Sequence, residues 1–98
     1  MRSLNEPIRD WRRRRVWIVG ASTGIGASLA HALLRAGARV ALTARSAAAL
    51  EEIARAAPDD VLVLPADVTD AKGLRRAHDQ LMARWEGIDL VIWNAGTY

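Results

Sequence analysis

Short apolar runs alternate along this chain with longer stretches of helical period. Val16–Val19 is an apolar run of strand length, too short for a helix. Ile25, Leu29 and Leu33, with Ala30 and Leu34, recur at helical spacing, and Gly37 follows them where a left-handed C′ residue ends a helix. Arg39–Thr43 is a second strand. Ser46 is placed to cap a helix whose apolar stripe is Leu50, Ile53, Ala54 and Ala57, closed by Pro58. Val61–Leu64 is an unbroken apolar run, the pattern of a parallel strand buried on both faces. Thr69 or Asp70 caps a third helix with the stripe Leu74, Ala77, His78, Leu81, Met82 and Trp85, and Ile88–Trp93 is a fourth strand. The order β-α-β-α-β-α-β predicts an α/β fold with parallel strands and right-handed crossovers.

Before this pattern lies a polar stretch without period, residues 1–14, expected to be a flexible basic arm in which Ile8 and Trp11 can pack down. It changes the reading of the charge. The chain carries a formal +3, but residues 1–15 hold six arginines against Glu6 and Asp10, so the remaining residues are slightly acidic. The run Arg12–Arg15 admits contact with a nucleic acid or a membrane surface. One short run is weak evidence for either, and a solvated lead-in to the first strand is the preferred reading, so nucleic acid is disfavoured as a partner. The apolar run after the arginines breaks after four residues, too soon for a secretory signal, and no stretch approaches the ~20 apolar residues of a membrane span. With no cysteine, disulfides and zinc–thiolate sites are excluded, and a cytoplasmic protein is expected. His31 and His78 lack ligand spacing, so no metal is expected; His78 falls on an apolar stripe and is read as a partly buried packing residue. The four tryptophans are scattered and read as core or rim.

The chemistry concentrates in Val19-Gly20-Ala21-Ser22-Thr23-Gly24-Ile25-Gly26. Three glycines at i, i+4 and i+6 sit directly after a strand and open a helix. Glycine permits the tight turn, a missing side chain lets backbone approach a pyrophosphate, and the helix start offers unpaired N–H groups and a positive dipole end. Gly20, Ser22, Thr23, Gly24, Ile25 and Gly26 are therefore candidate dinucleotide-binding residues. No Gly-Lys-Ser/Thr follows, which excludes a Walker loop.

The end of the second strand reads the ribose in such arrangements, roughly 20 residues after the glycines. An acid there would favour NAD. This chain has Thr43-Ala44-Arg45-Ser46 instead. Arg45 offers a forked cationic donor to a 2′-phosphate and Ser46 a hydroxyl, so NADP (as NADPH) is favoured over NAD. After the third strand, Asp67 can accept a bond from an adenine amino group and Val68 can cover the ring.

These features resemble the N-terminal half of the short-chain dehydrogenase/reductase family over about residues 15–98. The family's T-G-x-x-x-G-x-G matches from Gly20 onward, with Val19 in place of its threonine. Its adenine-site Asp-Val matches Asp67-Val68. Its N-N-A-G matches Asn94, Ala95 and Gly96, with Trp93 replacing the first asparagine. The resemblance implies a Rossmann-like sheet of strand order 3-2-1-4, with the first two helices on one face and the third on the other. It also implies NADP binding and hydride transfer between that cofactor and a carbonyl or alcohol. The family's catalytic Ser and Tyr-x-x-x-Lys follow N-N-A-G. Tyr98 is the only tyrosine and Lys72 lies on the third helix, so no catalytic residue is assigned. The expectation is a truncated NADP-binding half-domain, residues 15–98, that does not turn over by itself. With its fourth strand as a bare edge, it would be unstable or self-associating. The complete family fold is expected to be a homo-oligomer. Two other readings stand beside this one: a non-catalytic dinucleotide-binding module that serves a partner subunit, and nucleic-acid binding through Arg12–Arg15.

Overall fold

A computed structural model describes residues 10–22 and 24–94. It contains β1 (Arg15–Val19), α1 (Gly24–Arg35), β2 (Arg39–Thr43), α2 (Ala47–Ala54), β3 (Val61–Val63), α3 (Ala71–Trp85) and β4 (Leu90–Trp93). The strands form one sheet in the order β3-β2-β1-β4, every pair parallel. This is the α/β, Rossmann-like half with the 3-2-1-4 order expected.

The core follows from the strand period. Alternate residues of β1 and β2 point to opposite faces. Val16, Ile18, Val40 and Leu42 pack with Ala30 and Leu33 of α1 and Leu50 and Ile53 of α2. Trp17, Val19 and Ala41 pack with Ala77, Leu81 and Trp85 of α3. Thus α1 and α2 share one face and α3 covers the other. Between the central strands, Trp17 Nε1–H donates to the buried Oγ1 of Thr43 at 2.8 Å, so each polar atom satisfies the other.

The helix ends follow local chemistry. Gly37, at φ +92°, closes α1 in a Schellman motif: its N–H reaches the Leu34 carbonyl and the Ala38 N–H the Leu33 carbonyl, both at 3.0 Å. Ser46 caps α2 by accepting from the Ala49 N–H. Asp70, rather than Thr69, caps α3 by accepting from the Lys72 N–H.

Several expectations are corrected by packing. Ile25 is not on the core stripe of α1; it is 71% exposed, and Gly26, Ala30 and Leu33 form the buried face. The first turn of α1 approaches the sheet so closely that a glycine holds the inward position. α2 stops at Ala54 instead of Ala57, because its last turn tightens into i→i+3 bonds from Ala56 to Ile53 and from Ala57 to Ala54. β3 is not buried on both faces: all three residues are half-buried, because among the described residues β2 is its only neighbouring strand. The buried stripe of α3 is Gly73, Ala77, Leu81 and Trp85. His78 lies beside that narrow stripe with its side chain about half exposed, its ring centroid 6.0 Å from that of Trp17. β4 begins at Leu90, with Leu90 and Ile92 half-buried on the α1 side and Val91 and Trp93 exposed.

Residues 10–14 lie against the N-terminal ends of the strands. Trp11 packs on the first core cluster, and the Arg13 N–H donates to the Gly37 carbonyl at 2.8 Å. Arg12 pairs with Asp10, and Arg14 and Arg15 pair with Asp89. Ile8 lies outside the described residues. Among the described residues no helix is long and apolar enough to cross a membrane, and no cluster of His, Asp or Glu is placed to hold a metal.

Candidate functional site

The described candidate residues gather at the C-terminal ends of the four parallel strands, where the chain leaves β1 for one face of the sheet and enters β4 from the other. In open α/β sheets that switch point is where ligands bind. At the centre, Gly20 turns the chain out of β1 at φ +90°. Its N–H and that of Ala21 both donate to the Thr43 carbonyl, at 2.7 and 3.2 Å, which pins the turn to the end of β2. Ala21 is fully buried and Ser22 half-buried. Thr23 lies outside the described residues.

The two glycines of α1 act differently. A Cβ on Gly24 would meet nothing within 4 Å, so the helix start faces open space. A Cβ on Gly26 would lie 2.5 Å from the Gly20 carbonyl oxygen, 2.8 Å from Asn94 Nδ2 and 2.9 Å from Ala21 Cα. Gly26 is thus required for the helix to start this close to the sheet. The first turn of α1 contains no acidic residue, so its unpaired N–H groups and positive dipole end are available to an anion. Ile25 projects outward beside them.

Asn94 holds the β4 side. Its N–H donates to the Val19 carbonyl at 2.8 Å, and its side-chain amide donates to the Gly20 carbonyl at 3.0 Å. This bracing role was not readable from the sequence, where no local signal links residues 74 positions apart. Ala95 and Gly96, expected beside it, lie outside the described residues, as does Tyr98.

On the other side, an Ala66 N–H bond to the Ala44 carbonyl at 3.0 Å carries the β2–β3 pairing one step past the ladder. Arg45 and Asp67 follow that bonded pair on the two neighbouring segments, with Arg45 opposite Ala66 in the β2–β3 register. Arg45 is exposed. The Ser46 hydroxyl oxygen is committed to the α2 cap at 3.2 Å, leaving its proton to donate. Asp67 Oδ1 accepts both the Thr69 N–H, at 2.9 Å, and the Thr69 hydroxyl, at 2.7 Å. Those bonds, hydroxyl first, hold the Asp67 carboxyl below the usual carboxylate range, with a smaller contribution from the Arg45 charge. Val68 is half-buried against the α3-side core. Lys72 is exposed in the first turn of α3.

An open helix N-terminus, a glycine that the packing demands and an exposed arginine after β2 thus lie at the C-terminal end of the sheet. The family model of the short chain dehydrogenases matches residues 14–98. The chain belongs to that family. It is 44% identical to an 11-beta-hydroxysteroid dehydrogenase A of Sesamum indicum over 83% of this chain and 24% of the relative. It superposes with a TM-score of 0.79 on L-sorbose reductase of Gluconobacter frateurii, solved with NADPH and L-sorbose, at 28% identity over 92% of this chain and 36% of that one. An NADH-dependent reductase solved with NAD gives a TM-score of 0.75 at 33% identity, over 90% and 38% of the two chains. The chain spans a quarter to a third of the length of the curated relatives it matches first, between 24% and 32%.

Within this short-chain dehydrogenase frame, the two departures from the family motifs meet in space. Val19 and Trp93 are register partners in the β1–β4 ladder. The positions where the family carries a threonine and an asparagine are therefore neighbours, and both are apolar here.

Proposed function

We propose that this chain is the NADP(H)-binding portion of a short-chain oxidoreductase that transfers hydride between the cofactor and a carbonyl or alcohol. The observation that carries the reading is the Gly20–Gly26–Asn94 contact. Its tolerance is too tight for any side chain at residue 26, and it sets the open N-terminus of α1 over the strand ends.

When bound, the cofactor supplies or takes up the hydride. The residues of this chain bind and orient it. Gly20, Ser22, Thr23, Gly24, Ile25 and Gly26 would receive the pyrophosphate against the first turn of α1. Arg45 and Ser46 would receive a 2′-phosphate, Asp67 and Val68 the adenine, and Asn94, Ala95 and Gly96 the adjacent ribose side. The preference for NADP rests on Arg45 and on the absence of an acid at the end of β2, since solved relatives carry either nicotinamide dinucleotide. The single tyrosine and single lysine do not form a Tyr-x-x-x-Lys pair, so we expect these residues to bind the cofactor without turnover. A cytoplasmic setting and a homo-oligomeric complete protein belong to the same reading. The pairing of Arg12, Arg14 and Arg15 with Asp10 and Asp89 weighs against a nucleic-acid role.

Titration of the 98-residue chain with NADPH and with NADH, followed by tryptophan fluorescence, tests the reading. Tighter binding of NADPH, abolished by Arg45→Ala, is expected. Equal affinity removes the NADP preference, and binding of neither removes the functional reading.

A further inference from the structure

We infer that Thr69 is a specificity-positioning residue, which holds Asp67 away from Arg45 and so keeps the guanidinium available for a 2′-phosphate. The inference rests on the NADP(H)-binding reading above.

The strand pairing sets the problem. The β2–β3 register places Arg45 opposite Ala66, so Asp67 lies one residue beyond that pair on the neighbouring segment, and paired strands lie about 5 Å apart. A carboxylate and a guanidinium so placed attract each other, and a forked pair between them would occupy the same N–H groups a phosphate needs. The Asp67 carboxyl is held low chiefly by its two Thr69 bonds, with the Arg45 charge a smaller contribution in the same direction. Yet among the described residues Arg45 and Asp67 form no ion pair. Asp67 instead gives Oδ1 to two donors of Thr69, at 2.7 and 2.9 Å. One donor is backbone and survives exchange for Val, Ala or Ser; the other, the shorter bond, is the hydroxyl. Thr69 is exposed, is outside both core clusters and is not the cap of α3, a role Asp70 fills. Its side chain has no other hydrogen-bonded partner among the described residues. The hydroxyl thus decides which way the carboxylate turns: toward its own loop, with Oδ2 left for an adenine amino group, or across to Arg45.

The experiment is a cycle on the full chain: Thr69→Val, Asp67→Asn and both together, each titrated with NADPH and NADH. Thr69→Val should lower the ratio of NADPH to NADH affinity roughly five-fold, the equivalent of one hydrogen bond. In the Asp67→Asn background, where residue 67 has no charge to offer Arg45, the same substitution should leave the ratio unchanged. Thr69→Ser, which keeps the hydroxyl, should restore it. Thr69→Ala removes the hydroxyl without valine's β-branching, and should reproduce the Thr69→Val ratio even if the valine variant is poorly folded. An unchanged ratio in both hydroxyl-free variants overturns the inference, as does a fall that persists with Asp67→Asn. If the wild-type chain binds both nucleotides and only the ratios fail, this inference falls alone; if it binds neither, it falls with the functional reading.

Discussion

The side-chain amide of Asn94 donates to the carbonyl of Gly20 across 3.0 Å, joining the last strand to the turn that follows the first. A methyl group on residue 26 would sit between them, 2.8 Å from the amide nitrogen and 2.5 Å from the oxygen. The bond and the glycine require each other, and two predictions separate the packed glycine from the open one.

Gly26→Ala should destabilise the fold by about 1–3 kcal/mol, since backbone atoms of Gly20 and Ala21 must move to admit the Cβ. Gly24→Ala meets nothing within 4 Å and should leave stability unchanged or raise it by up to ~1 kcal/mol through helix propensity, while weakening nucleotide binding by crowding the helix start. Urea midpoints and NADPH titrations of the two variants check the contrast. Equal loss of stability in both would contradict it.

Trp17 and Thr43 satisfy each other inside the sheet. Either Trp17→Phe or Thr43→Val leaves a buried polar atom unpaired and should cost about 1–3 kcal/mol. The double variant should cost less than the sum of the two, with the difference read from a double-mutant cycle of urea unfolding. Strict additivity would mean that the bond is absent in solution.

Asp89 ties the start of β1 to the end of α3: its Oδ2 accepts from the Arg15 N–H at 2.8 Å, while the Arg15 guanidinium also reaches the Trp85 carbonyl. Burial pushes the Asp89 carboxyl up, but the Arg15 bonds and the charges of Arg15 and Arg14 together outweigh it and leave it below the usual range. A carboxyl depressed in the folded state contributes stability above its unfolded value, about 3.9, and loses it as pH falls through the folded value. Asp67 shifts in the same direction, and exposed Asp10 is pushed down to about 2 by Arg12. Asp89→Asn should therefore be less stable than wild type at neutral pH, with the gap closing as the pH drops below about 4. Urea midpoints measured from pH 7 downward read the gap directly; a gap that stays constant would show that Asp89 acts through something other than its charge.

Among the described residues β4 pairs with β1 on one side only, and Val91 and Trp93 on it are 49% and 58% exposed. An exposed apolar edge strand is a site for pairing between chains. The isolated chain is expected to self-associate, and a Val91→Lys, Trp93→Lys double variant to shift sedimentation toward the monomer. A monodisperse wild-type monomer would refute the expectation.

The sequence by itself determined what neighbouring residues decide. Strand and helix order followed from the apolar period. Gly37 ends α1 because only a residue free to take positive φ closes a Schellman turn without strain, and Ser46 caps α2 because its hydroxyl reaches an N–H three residues on. The glycine spacing after β1 marked the crevice for the same reason: turn and helix start are contiguous in the chain. Tertiary structure alone decided which glycine is packed and which is open. It turned Ile25 outward, set β3 beside β2 at the edge of the described sheet, and made Thr43 the partner of Trp17, Asp89 that of Arg15 and Asn94 that of Gly20. Those last two contacts each span 74 residues. No local period or cap encodes such a pairing; it exists only once parallel strands lie in register, because the sheet, not the chain, sets which backbone and side-chain groups come within bonding distance.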